Sequence, residues 1–226
     1  MYMLGSLLWL LTYRVMTGTP ASNMDKLWGM ICSKYALLKT ENQYGGLRLS
    51  NFIDPDNPHK AYPKLKGRGG EVKELVRPLL LVWREVMTKG NQEHCMIEAT
   101  FENHLDLQTI LHKYKKEAFL PPAVAGQVQV GMDAFLMRYS ILAKAADKRN
   151  ELLWATVPKH HWAWHLAHRS FYSNPRRGNT MIDEDFVGVV RDIAQSCAHG
   201  TTATRVPESL MEKYRYGLHV MNRYGR

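Results

Sequence analysis

The chain has 226 residues, enough to bury a real core, and reads most simply as one domain with an attached N-terminal segment. Its 45% hydrophobic, 10% aromatic and 23% charged residues exclude a disordered chain, and its net charge of +9, with ten histidines left neutral, favours an anionic partner. Nucleic acid comes first among such partners, a membrane surface or an acidic protein second. Cys32, Cys95 and Cys197 stand far apart without a CxxC pair. That excludes a disulfide scaffold, argues against a cysteine zinc site, and points to a reducing, intracellular compartment.

Leu4, Leu7, Leu8, Leu11 and Val15 recur at helical spacing, with Trp9 and Leu10 widening the apolar arc. Met1-Tyr2-Met3 lacks the basic start of a signal peptide, and the run is too short to span a bilayer before Arg14. It reads as a helix that packs on something: a partner, a second copy, or the rest of a longer parent. Leu27, Ile31, Tyr35 and Leu38 continue the helical pattern and close an N-terminal helical segment, 1–40. Residues 41–66, with Gly45-Gly46, Pro55, Pro58 and Pro63, have linker composition and mark the expected boundary. Residues 67–226 then form the core domain.

Val72, Leu75, Leu79, Val82 and Val86 predict a helix from Gly70 to Met87, with Pro78 expected to kink it or mark a restart. A helix over 95–116 carries Ile97, Phe101 and Leu105 and ends in Lys113-Tyr114-Lys115-Lys116. Pro121-Pro122 opens the longest one, with Val124, Val128, Met132, Phe135, Tyr139 and Leu142 at steps of three and four. Leu152–Val157 reads as a brief strand stopped by Pro158. Further helices are expected from Pro158, over Glu184–Cys197 with Phe186, Val190 and Ile193 inward, and from Pro207 with Leu210, Tyr214, Leu218 and Met221. No repeat, phosphate loop or nucleophile elbow occurs. The expected fold is mainly α: a multi-helix globular domain with at most one or two short strands.

His161 and His165 stand four apart on one helical face, and His168 extends that face. Trp162 and Ala163 occupy the positions where an HExxH motif would place its glutamate. The acids Asp183, Glu184 and Asp185 open the next helix. With Glu184 or Asp185 the histidine pair makes a zinc-type ligand set. The same residues also have structural roles: Trp162, Trp164 and Leu166 pack while the histidines hydrogen-bond, and acids in a first turn cap orphan N–H groups and complement the helix dipole. The basic groups are Lys64, Lys66 and Arg68; Lys113, Lys115 and Lys116; Arg176 and Arg177; and Lys213, Arg215, Arg223 and Arg226. Tyr114, Phe171, Tyr172, Tyr214 and Tyr216 interleave with them, a pattern suited to a phosphate backbone with stacked bases.

Leu65-Lys66 followed by Glu71 at a helix head, His161-x-x-x-His165-Leu166, and Glu184-Asp185-Phe186-Val187-Gly188 occur in that order. They resemble the C-terminal part of CACTA (En/Spm-like) transposase domains of the RNase H-like superfamily. Those carry a similar helix, an NVHxxxHL-like segment and an FExxxG-like segment. The resemblance implies the end of an RNase H-like nuclease fold, with Glu184 as the last of three carboxylates that hold Mg or Mn for DNA strand cleavage and transfer. It makes the histidine segment a support for that site. The departures concern the other two acids, which the family places on upstream strands. No strand-like run precedes Leu152, Asp54 and Asp56 sit in the proline-rich loop, and Asp183 replaces the usual apolar or aromatic residue. Two-metal phosphoryl transfer needs all three carboxylates.

The expectation is therefore a truncated, catalytically silent, transposon-derived protein that binds nucleic acid without a cofactor and is nuclear if the ligand is DNA. Two alternatives stand beside it. One is a metal-dependent hydrolase holding zinc on His161, His165 and Glu184 or Asp185. The other is a helical interaction module whose Leu4, Leu8 and Leu11 face docks a protein partner or a second copy.

Overall fold

A computed structural model describes residues 1–178, 193, 195–197 and 205–224. The regular structure among these residues is helical throughout, with no strand. The chain divides into two compact units, Met1–Pro175 and Arg176–Arg226.

The first helix, α1 (Tyr2–Leu10), continues into a π-helical turn, Leu11–Val15. Apolar side chains surround it, so it has no face suited to water and becomes a central element of the core. Leu4, Leu7, Leu8, Leu10 and Leu11 are all at most 2% exposed. The expected Leu4/Leu8/Leu11 docking face is thus turned inward, and the chain itself covers it. Thr12 donates from Oγ1 to Leu8 O at 2.8 Å and to Trp9 O at 3.2 Å, which satisfies the hydroxyl inside the widened turn.

Helix α2 (Pro20–Leu38) starts with Thr19 as N-cap, accepting from Ser22 N, and Pro20 at the first position. It stops at Lys39, which takes a left-handed φ of 51°. Asn23 is buried and donates to Thr12 O and Met16 O at 2.8 and 3.0 Å, locking α2 to the preceding turn.

Residues 41–66 have the irregular backbone that their composition implies, but they are not a spacer between domains. Tyr44, Leu47, Phe52 and Leu65 are buried in the same core as α1. The backbone pairs with itself and with α1: Lys64 N donates to Phe52 O at 2.8 Å, Lys66 N to Asn51 O at 2.8 Å and Leu65 N to Met1 O at 3.3 Å. An irregular segment is stable in that position because its polar groups are satisfied locally while four apolar side chains dock.

Helix α3 (Gly69–Val86) begins with Glu71 accepting from Arg68 N at 2.9 Å and runs through Pro78 without restarting. Helix α4 (Gln92–Lys113) is capped by Asn91, which accepts from Glu93 N and His94 N. Helix α5 (Pro122–Asp147) starts at the diproline as expected. Successive helices α2 to α6 (α6, Pro158–His168) pack pairwise along the chain.

The strand expected over Leu152–Val157 is not formed. The segment is extended, but side chains take its polar groups: Trp154 N donates to Ser6 Oγ at 2.8 Å, and Ala155 O accepts from Tyr139 Oη at 3.2 Å. Trp154 has a left-handed φ of 58°, which interrupts any β geometry.

In the second unit, α7 (Val206–Tyr224) matches the last expected helix. Of the helix expected over Glu184–Cys197, Ile193 and Gln195–Cys197 are helical and the remainder lies outside the described residues. Among the described residues no helix is long and apolar enough to cross a membrane.

Candidate nucleic-acid interface

Helix α6 begins with Pro158 at its first position, where a missing N–H costs nothing. Of its side chains only Ala167 is buried. Trp162 is 66% exposed, Trp164 37% and Leu166 41%, so the residues expected to pack instead face outward. A small residue at the α5 contact lets α6 lie close without burying its large rings.

The three histidines do not converge. His161 Nε2 and His165 Nε2 are 2.9 Å apart, a hydrogen bond in which one ring donates and the other accepts. His168 turns to α5. Its Nδ1 lies 3.1 Å from Gln129 Nε2, which donates, so its Nε2 carries the proton and donates to Asp133 Oδ1 at 3.1 Å. His168 is thus a strut between α6 and α5.

Among the described residues no group of three or more His, Cys, Asp or Glu side chains can hold a metal ion. The His161–His165 pair offers two imidazoles, where a zinc site draws at least three protein ligands. Asp183, Glu184 and Asp185 lie outside the described residues. A groove of about 620 Å³ between α4 and α5 is lined by Leu107, Ile110 and Val130 with Asp106 as its acid, and its one hydroxyl, Thr109 Oγ1, donates to Leu105 O at 2.8 Å.

The structure instead assembles a surface at the far end of α6. Asn174 is 1% exposed. Its Nδ2 donates to Tyr114 O at 2.8 Å and to Glu117 O at 2.9 Å, and its backbone N donates to Ala118 O at 3.0 Å. Ser170, also buried, donates from Oγ to Ala125 O at 3.0 Å. These two side chains pin residues 169–174 against the loop that follows α4 and against the start of α5. Arg169, Phe171 and Tyr172 then point outward from the pinned segment, and Lys113, Lys115, Lys116 and Phe119 from the loop. Two segments about 60 residues apart in sequence share one exposed face of cations and rings.

Glu93 and Glu151 pair with Arg14 and Arg149, Glu98 and Glu102 with Arg84, and Glu85 with Lys34. Among the described residues Lys113, Lys115, Lys116, Lys159 and Arg169 join no ion pair with a carboxylate within 4.0 Å. Residues 152–182 contain no Asp or Glu at all. Glu117 is exposed beside Lys116 in the same loop, so this face keeps a net positive field with one carboxylate among its cations.

Of the basic residues singled out in the sequence, Lys113, Lys115 and Lys116 sit on this face. Arg176 and Arg177 open the second unit, and Lys213 and Arg215 lie on α7, where Lys213 Nζ donates to Ser196 Oγ at 3.0 Å. Sequence reasoning missed Asn174, Ser170, Arg169, Lys159 and Phe119. The one local signal was the acid-free run from 152 to 182.

Comparison with protein-family models, with curated proteins and with solved structures finds no match to this chain. The sheet of an RNase H-like domain is not formed by the described residues, and the Glu184 segment of the CACTA resemblance lies outside them.

Proposed function

We propose that this protein binds nucleic acid through the surface held together at Asn174, as a transposon-derived relative of CACTA transposases that cleaves no strand itself. The single supporting observation is the bonding of Asn174 to Tyr114 and Glu117, which brings the lysines of one segment beside Arg169, Phe171 and Tyr172 of another. Lysines and arginines without acid partners release counterions from a phosphate backbone, and exposed rings beside them meet sugars and bases.

The test is fluorescence anisotropy with labelled DNA over a range of salt. The expected result is affinity that falls linearly with salt on logarithmic axes. Each lysine removed, Lys115→Ala or Lys116→Ala, lowers that slope by about 0.7–0.9. No binding at low salt would sink the proposal.

The 2.9 Å approach of His161 and His165 supports one second reading: zinc on those imidazoles, with Glu184 or Asp185 as carboxylate, for hydrolysis. Stoichiometric zinc uptake that disappears in His161→Ala would carry it, and no uptake would remove it.

A further inference from the structure

Five of the six exposed Phe, Tyr and Trp side chains in Met1–Pro175 come from α6, the turn that follows it and the loop after α4. They are Phe119 at 67%, Trp162 at 66%, Trp164 at 37%, Phe171 at 47% and Tyr172 at 79%, with Tyr62 the exception. The remaining large rings are largely inside, among them Trp83, Trp154, Tyr139, Phe101 and Tyr35. A fold that buries its aromatics elsewhere and leaves five out beside unpaired cations has placed them where they meet a ligand.

The tryptophans stand against histidines, and Tyr172 and Phe119 stand on bonded backbone. Trp164 lies 4.0 Å from His168, centroid to centroid, and His168 is held by Gln129 and Asp133. Trp162 and Trp164 flank His165 at 6.3 and 5.0 Å. Tyr172 stands two residues before Asn174, whose three bonds fix the backbone there. Phe119 follows Ala118, which accepts one of those bonds. Chain geometry therefore keeps the Cα atoms of Phe119 and Tyr172 within about 17 Å of each other, the reach of a few nucleotides.

We infer, resting on the nucleic-acid reading above, that the ligand is an unpaired strand whose bases stack on Tyr172 and Phe119 while Lys115, Lys116 and Arg169 hold its phosphates. A duplex keeps its base faces stacked inside and offers these rings only backbone. The outward side of α6 also carries Trp162, Trp164 and imidazoles in place of the Arg, Asn and Gln side chains that read base edges in a groove. Cations for the backbone and rings for the bases are what single-strand surfaces combine.

The experiment compares three labelled probes of equal length on the full chain at one low salt concentration: a mixed-sequence DNA strand, its duplex, and the same strand with abasic sites throughout. The expected result is that the strand binds about tenfold or more tighter than either of the others. Tyr172→Ala reduces strand affinity by a similar factor and leaves abasic affinity unchanged, while Tyr172→Phe restores it. Tyr172 is far outside the core, so these variants test the ring and not the fold. Equal affinity for all three probes, or tighter duplex binding, would overturn the inference and leave the nucleic-acid reading standing. Binding to no probe would overturn that reading itself. Displacement of the strand by equimolar polyglutamate would assign the surface to an acidic protein and overturn both.

Discussion

The backbone amide of Trp154 donates to Ser6 Oγ at 2.8 Å, a bond that spans 148 residues and joins α1 to the segment between α5 and α6. Both residues are fully buried. Ser6→Ala leaves the Trp154 N–H without a partner in a dry site, a loss of about 1–3 kcal/mol. Urea unfolding should show a lower midpoint with an unchanged slope.

Gly5 and Gly29 make a matched pair of helical glycines with opposite expected outcomes. A Cβ on Gly5 would meet Pro63 O at 2.5 Å, whereas one on Gly29 meets nothing within 4 Å. Gly29→Ala should stabilise by about 0.5–1 kcal/mol through helix propensity. Gly5→Ala gains the same local term and still destabilises by about 1–3 kcal/mol, because backbone must move out of the way. Calorimetric midpoints of the two variants should shift in opposite directions.

Leu8 is inward, so its truncation is a core event. Leu8→Ala should cost about 2–5 kcal/mol of stability. Light scattering should show the oligomeric state of the wild type unchanged, and a shift in mass would return α1 to the role of docking helix.

Acid should weaken the fold before the carboxylates titrate. Burial, with a smaller contribution from the Met1 amino group, depresses His104 to about 4, below its usual 6.5. Burial is also the leading cause that lowers His94 and His160. His94 Nδ1 accepts from Thr88 N at 2.9 Å and His104 Nε2 from Gln108 at 2.8 Å, bonds that protonation would break. Depressed histidines bind fewer protons folded than unfolded. For His104 this stabilisation is whole above about 6.5 and is lost as pH falls toward about 4. His104 contributes at most about 1.4 kcal/mol per pH unit in that window. Unfolding free energy measured from pH 7 to 5 should decline, and His104→Gln should flatten the decline.

Asn174→Ala and Lys115→Ala should separate structure from charge at the proposed interface. Loss of the Asn174 amide leaves Glu117 O without its donor, while Tyr114 O keeps the Glu117 amide at 3.1 Å, and costs about 1 kcal/mol. DNA affinity should fall with it, since the two segments come apart. Lys115→Ala should lower affinity with unfolding unchanged, because Lys115 is exposed. Equal DNA affinity in Asn174→Ala would show that the surface does not depend on this anchor.

The helices of the first unit were legible because their signals are local. Leu27, Ile31 and Tyr35 on α2, and Phe135, Tyr139 and Leu142 on α5, repeat at the period of one helical face. Pro122 and Pro158 mark helix starts for the same reason, a property of the chain within one turn. Composition likewise identified 41–66 as irregular, but irregular backbone and a domain boundary are different things. Tyr44, Leu47, Phe52 and Leu65 decide between them, and their burial depends on α1 lying alongside.

Helical period, caps, net charge and the spacing of His161, His165 and His168 were thus determined by the sequence alone, each within a turn or by simple sum. Tertiary structure decided that α1 is interior, that His168 answers to Asp133 and not to His165, and that Asn174 joins two basic segments 57 to 60 residues apart. These depend on which distant groups meet once the helices pack, and hydrogen bonds and desolvation select among such encounters only after the chain has closed on itself.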